Sequence, residues 1–138
     1  MLEIAESAIV LSLRPHGERD AIVSALTETQ GRWAGLARGG AGRRQAPLWQ
    51  PGNRIAARWK ARLASHLGTW TAEVERAHAA AVLGEAGRLA ALSSACAILD
   101  AEERGEHLAG VAFGAERDAD RAARGGVVVR TERAQEQA

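Results

Sequence analysis

Few side chains in this 138-residue chain are of the types that do covalent chemistry. Four histidines occur, His16, His66, His78 and His107, and none is spaced with another or with the single cysteine as a metal site requires. His16 lies in a Pro15-His16-Gly17 turn, where a backbone hydrogen bond is its expected role. Cys96 falls on an apolar helical stripe and reads as a small buried hydrophobe rather than a nucleophile. As the only cysteine, it excludes an intrachain disulfide and a cysteine-rich zinc site. Ser93 and Ser94 sit in the same predicted helix and suit back-bonding or close packing. Glu73 and Glu75 point the same way from a predicted strand, with nothing to mark a pocket. The glycines of RGGAGRR lack the Lys-Ser/Thr of a phosphate-binding loop and read as loop flexibility. The pattern predicts no catalytic constellation, no cofactor and no metal.

The chemistry that remains is ionic. GGAGRRQAPLWQPGNRIAARWKAR, from Gly39 to Arg62, holds six cations and no acid, and no Asp or Glu occurs between Gly31 and Thr71. The chain as a whole has a formal charge of +1, but residues 1–80 carry eleven Arg/Lys against seven Asp/Glu, and the remainder seven against ten. A basic part followed by an acidic part points to a polyanionic partner for the former. A plain solvated face normally mixes signs. The candidate phosphate contacts are Arg32, Arg38, Arg43, Arg44, Arg54, Arg58, Lys60 and Arg62. Trp33 and Trp49 lie in or beside the same region and are the candidates for base stacking. Trp59 and Trp70 alternate inward and are assigned to the core.

The elements that must position these residues are strands. AIVLSLR (Ala8–Arg14) predicts a strand with Ile9, Leu11 and Leu13 on one face, and AIVSALT (Ala21–Thr27) one with Ile22 and Leu26 together. WAGLAR (Trp33–Arg38) follows a turn at Gly31. GGAGRRQAP (Gly39–Pro47) predicts a mobile loop, and QPGN (Gln50–Asn53) a tight turn. In NRIAARWKAR, alternation places Arg54, Arg58, Lys60 and Arg62 on one almost wholly cationic face, with Ile55, Ala57, Trp59 and Ala61 opposite. TWTAEVE (Thr69–Glu75) turns Trp70, Ala72 and Val74 inward. Five strands in about 75 residues predict a small antiparallel barrel, of OB or SH3-like type. After Arg76 the sequence becomes Ala-rich. Leu89, Leu92, Cys96 and Leu99 form a helical stripe, in a helix expected from Arg88 to Glu103 after an interruption at Gly84 and Gly87. The remaining tail has no designed pattern and is expected to be disordered.

Taken together, AIVLSLRPHGERDAIVSALTETQGRWAGLARGG, LWQPGN, RWKARL and HLGTWTAEVER resemble the N-terminal part of the RecO family of bacterial recombination mediators. The resemblance implies a mainly β N-terminal OB-fold over residues 1–78. The start of a helical domain follows over 79–104, matching LAALSSACAILDA (Leu89–Ala101), and then a tail over 105–138. It implies binding of single- and double-stranded DNA and annealing of complementary strands. It also implies contact with single-stranded-DNA-binding protein, and loading of RecA together with RecR in gap repair, without catalysis. The basic positions Arg38, Arg43, Arg44, Arg54, Arg58, Lys60 and Arg62 fall where that family uses its OB surface for DNA. Members of the family are longer and often carry a zinc-binding cysteine cluster. The likeness fades near Asp100–Ala101, which predicts a truncated or frameshifted product with its contact to single-stranded-DNA-binding protein impaired. The competing expectation is a basic-faced barrel that docks an acidic protein. No run approaches membrane-spanning length and no secretion signal is recognised, so the expected location is the cytoplasm, at the nucleoid.

Overall fold

In a computed structural model, which describes residues 2–63, 67–101, 113–114, 116–118 and 121, the predicted alternations become five strands. They are β1 (Leu2–His16), β2 (Asp20–Thr27), β3 (Gly31–Ala37), β4 (Arg54–Ala61) and β5 (Gly68–Arg76). β1 pairs antiparallel with β2 through its second half and with β4 through its first, while β2–β3 and β4–β5 are also antiparallel. A short parallel contact, Gly35 beside Gly68 and Leu36 beside Thr69, joins β3 to β5 and completes the circuit. The barrel expected as antiparallel therefore has one parallel seam. It arises because the long β3–β4 connection lets β4 return on the far side of β5, against β1.

The walls are lined with small residues and the interior is filled with large ones. Ala8, Ala21, Ala25, Ala37, Ala57 and Ala61 point inward, with Val10, Val23 and Ile55, around the buried indoles of Trp49, Trp59 and Trp70. A wide ring needs a thin wall behind it at native packing density. At the seam even alanine is too large. A Cβ on Gly35 would lie 2.8 Å from Trp70 and 2.9 Å from Trp59, and one on Gly68 would collide with the Trp59 ring. Each enclosed indole N–H keeps a partner, Trp59 donating to the Ala34 carbonyl and Trp70 to that of Val23, both at 3.0 Å.

β1 departs from simple alternation. Its pairing with β2 slips between Val10 and Ser12, a β-bulge that reverses which face later residues occupy. Ile9 and Leu11 face outward, and the bulge brings Leu13 to the opposite face, against the interior. The single face expected for these three residues is thus split in two. The outward pair supplies the seat for helix α2 (Ala86–Ala101), whose Leu92, Cys96 and Leu99 pack on Ile9, Leu11 and Leu26. Burial pushes the Cys96 thiol up to about 11, as suits an inert core position. The helix begins earlier than Arg88, with Gly87 inside its first turn, and Gly84 lies in the break after the one-turn α1 (His78–Ala81).

The connection from β3 to β4 has no regular element, as its glycines dictate, yet its backbone is bonded along its length. Ala41 N–H donates to Arg19 O, Gly39 N–H to the Asp20 carboxylate, and Ala46 N–H to Gly42 O. The Gln50–Asn53 turn forms as predicted. Gly52 has φ +96° and Asn53 N–H donates to Gln50 O at 3.1 Å. Asn53 is buried, donates to Pro47 O and accepts from Ala79 N–H, so one side chain ties the loop to α1. In the tail, Phe113, Gly114, 116–118 and Arg121 are helical, and Phe113 is buried. The rest of the tail, His107 included, lies outside the described residues, as does His66 between β4 and β5.

Two outcomes follow from this packing. Gly68→Ala should destabilise the barrel by about 2–3 kcal/mol, a drop of roughly 10 °C in Tm by calorimetry, because the Trp59 ring cannot move aside. Glu6 accepts from Thr29 N–H, Thr29 Oγ1–H and Gln30 N–H across the β2–β3 turn. Burial raises its pKa, but these bonds outweigh burial and hold it below its ordinary 4.5. Its contribution to stability is complete above about pH 4.5 and is lost as pH falls through the lower folded value. Glu6→Gln should therefore flatten the acid limb of the urea-midpoint-against-pH curve.

Candidate nucleic-acid interface

Along β4 the outward side chains alternate as predicted, with Ala56, Arg58 and Lys60 exposed and Arg54 half-buried. The face they share is not wholly cationic, because neighbouring strands place acids among them. Glu3 of β1 lies across from Lys60 and pairs with Arg58 at 3.3 Å. Glu73 of β5 lies across from Ala56, and Glu75 meets Arg54 at 2.7 Å. Glu73, Glu75, Ser7 and Arg58 line one shallow groove of mixed sign. An acid-free run of sequence is not an acid-free surface when its partner strands come from elsewhere in the chain.

The predicted cations accordingly divide. Arg54 is enclosed by Glu75, by Glu116 at 3.5 Å and by the Phe113 ring, its Cζ 5.9 Å from the ring centre. Burial opposes its charge, but Glu116 and Glu75 outweigh it and raise its pKa. His78 meets the same Glu116 carboxylate at 2.8 Å. Arg32 is held by Asp100 at the end of α2, through the carboxylate at 3.7 Å and the main-chain oxygen. Arg38, Arg43, Arg44, Lys60 and Arg62 are exposed and form no ion pair among the described residues.

Neither tryptophan singled out for stacking lies open on the outer sheet face. Trp49, 1% exposed, is in the core, where its ring has no free face; that assignment is corrected. The cause is that the loop around it folds over the barrel interior. Trp33 takes an inward position, is half-buried, and lies 4.7 Å from Trp59, centre to centre. Val74 also departs from expectation. It follows the inward alternation but is 53% exposed, at the far end of β5.

The register reveals an arrangement that the sequence reading missed. Lys60 stands across from Thr69, Thr69 beside Leu36, Leu36 across from Ile22, and Ile22 across from Arg14. These five outward residues form one row over all five strands, about 19 Å long at the usual strand spacing. A cation stands at each end and uncharged side chains lie between. Ser12, Ser24 and Ala34 flank the row in a shallow depression beside Arg14 and Arg32. At the Arg14 end, the bond from Ala41 to Arg19 draws the β3–β4 loop, with Arg38, Arg43 and Arg44, against the β1–β2 hairpin. Arg14 and Arg19 join the cationic rim only through this folding. The sole linear signal for them is their position flanking the Pro15-His16-Gly17 turn.

No helix among the described residues is long and apolar enough to cross a membrane. They contain no group of three or more potential metal ligands. The family described as Recombination protein O N terminal matches residues 1–78. A DNA repair protein RecO from Rhodospirillum centenum is 56% identical over 100 residues, covering 72% of this chain and 40% of that protein. Its namesakes from Dinoroseobacter shibae and Acidiphilium cryptum are each 50% identical, over 98 and 97 residues, covering 71% and 70% of this chain and 41% and 39% of their own lengths. The chain thus spans about two fifths of the curated relatives it matches. On this match, and on a five-stranded sheet with the predicted elements, the chain belongs to the RecO family and carries its N-terminal OB-fold domain.

Proposed function

We propose that this chain binds DNA through the outer β1–β2–β3–β5–β4 row and the loops at its ends, as the DNA-contacting module of a recombination mediator. The observation that supports this is a set of cations with no ion pair among the described residues, Arg38, Arg43, Arg44, Lys60 and Arg62, distributed at both ends of an uncharged row. A polyanion laid along the row meets positive charge at entry and exit. Ordinary surface cations already paired with carboxylates give up that pairing to bind phosphate, so Arg32, Arg54 and Arg58 contribute less. Both single and double strands suit such a surface, since it reads phosphates. Strand annealing, and the loading of RecA together with RecR on strands coated by single-stranded-DNA-binding protein, are the roles that the family suggests for this module. It acts at the nucleoid in the cytoplasm and does no covalent chemistry.

A second reading draws on a different surface. An apolar groove of about 710 Å³, lined by Pro47, Leu48, Val74, Leu83 and Leu89, runs between the β3–β4 loop and the two helices. It suits a protein partner, in which case DNA contact is incidental.

Salt dependence separates the two. Titration of a labelled single-stranded oligonucleotide, followed by anisotropy, should give a log–log salt slope of about −3.5 for five phosphates at roughly −0.7 each. The double variant Arg43→Ala/Arg44→Ala should bring the slope to about −2, whereas Arg58→Ala should change it little. Absence of salt-sensitive binding would leave the docking groove as the better reading.

A further inference from the structure

Leu63 and Leu67, which lie between β4 and β5 in sequence, are 56% and 53% exposed, and Leu2, across from Ala61 at the same end of the barrel, is 43% exposed. Scattered exposed leucines need no explanation. These differ in being grouped at one barrel end beside two cations. Lys60 and Arg62 closely precede Leu63 in sequence and have no ion pair among the described residues. The one acid nearby in the register, Glu3, is taken by Arg58. Leu67 directly precedes Gly68, which pairs with Gly35, so it stands where β5 meets β3, at the edge of the uncharged part of the row. The row itself presents Ile22 and Leu36 but no aromatic side chain.

We propose that Leu63 and Leu67 are the base-contacting residues of this interface, packing against unstacked nucleobases of a single strand whose phosphates are held by Lys60 and Arg62. The proposal rests on the DNA-binding reading above. The charge argues for this occupant: every unstacked nucleotide offers an apolar face next to an anion, and here exposed leucines stand next to two cations with no ion pair among the described residues. In single-strand binders this part is usually played by aromatic side chains. Here the tryptophans are committed to the barrel interior, and aliphatic side chains stand at the surface in their place. Duplex DNA keeps its bases stacked and gives these leucines nothing to cover, so they would favour single strands over duplex.

The test compares the full chain with the variant Leu63→Ser/Leu67→Ser. The probe is an oligothymidine strand carrying one 2-aminopurine, together with its duplex counterpart. Both leucines lie outside the buried clusters, so the near-ultraviolet circular dichroism of the four tryptophans should be unchanged in the variant. The expected result is about tenfold weaker single-strand binding with an unchanged salt slope and unchanged duplex affinity, and loss of most of the 2-aminopurine response. Leu63→Met/Leu67→Met, which keeps the apolar surface, should retain both the single-strand affinity and the 2-aminopurine response of the wild type. If the wild type binds with a salt-dependent slope and the serine variant matches it in affinity and fluorescence, the leucine assignment is overturned while DNA binding stands. If the wild type shows no salt-dependent binding to either probe, both readings fall. A parallel loss on single strand and duplex would also overturn the proposal, since it would mark a general rather than a base-contacting role.

Discussion

The barrel closes around a contact between one indole and two absent side chains. Trp59 lies against the parallel seam where Gly35 faces Gly68, and no residue with a Cβ fits at either place without moving that ring. This contact joins β4, which carries the tryptophan, to β3 and β5, which carry the glycines. A strand pairing of only two residue pairs has little hydrogen-bond strength of its own, so the ring that spans it and bonds to the Ala34 carbonyl supplies much of its cohesion. The outward row from Lys60 to Arg14 crosses this seam at Thr69 and Leu36. The functional surface is continuous only while the seam holds.

A second constraint sits on the opposite side. Ile9 and Leu11 face outward before the bulge in β1 returns Leu13 to the interior, and α2 covers the outward pair with Leu92, Cys96 and Leu99. The bulge is bracketed by the Gln50–Asn53 turn, where Val10 donates to Asn53 O and accepts from Gly52 N–H. Leu92 of α2 rests over Gly52, at a place where a side chain would collide with it. One turn thus fixes the strand, the loop and the helix together. The basic loop is consequently anchored at both ends, by Arg19 and Asp20 at its start and by Asn53 at its close.

Most of the architecture was legible in the chain. Alternation in β4 and β5, the Pro51-Gly52 turn and the 3–4 spacing of Leu89, Leu92, Cys96 and Leu99 each report a local geometry, and local geometry is what a single sequence encodes. The likeness of LWQPGN and HLGTWTAEVER to one family supplied the OB topology that strand counting left open. What was not legible depends on residues far apart in sequence. The bulge in β1 has no composition of its own. The acids beside Arg54 and Arg58 come from β1, β5 and the tail, so the acid-free run overstated the positive character of that face. Trp49 looked like a loop residue and is a core residue, because a loop that folds back over the interior follows no period. The row from Lys60 to Arg14 needs the pairing of all five strands before it exists.

Trp33 and Trp59 carry a further consequence. Their ring centres are 4.7 Å apart and their planes meet at 52°, one on β3 and the other on β4. Two identical chromophores this close and neither parallel nor perpendicular share their excitations, and the shared states absorb left- and right-handed light unequally. The two strands are not hydrogen-bonded neighbours; β5 lies between them. The optical activity of this indole pair therefore gauges the spacing of β3 and β4 on either side of β5, independent of helix content and with no tyrosine in the chain to obscure it.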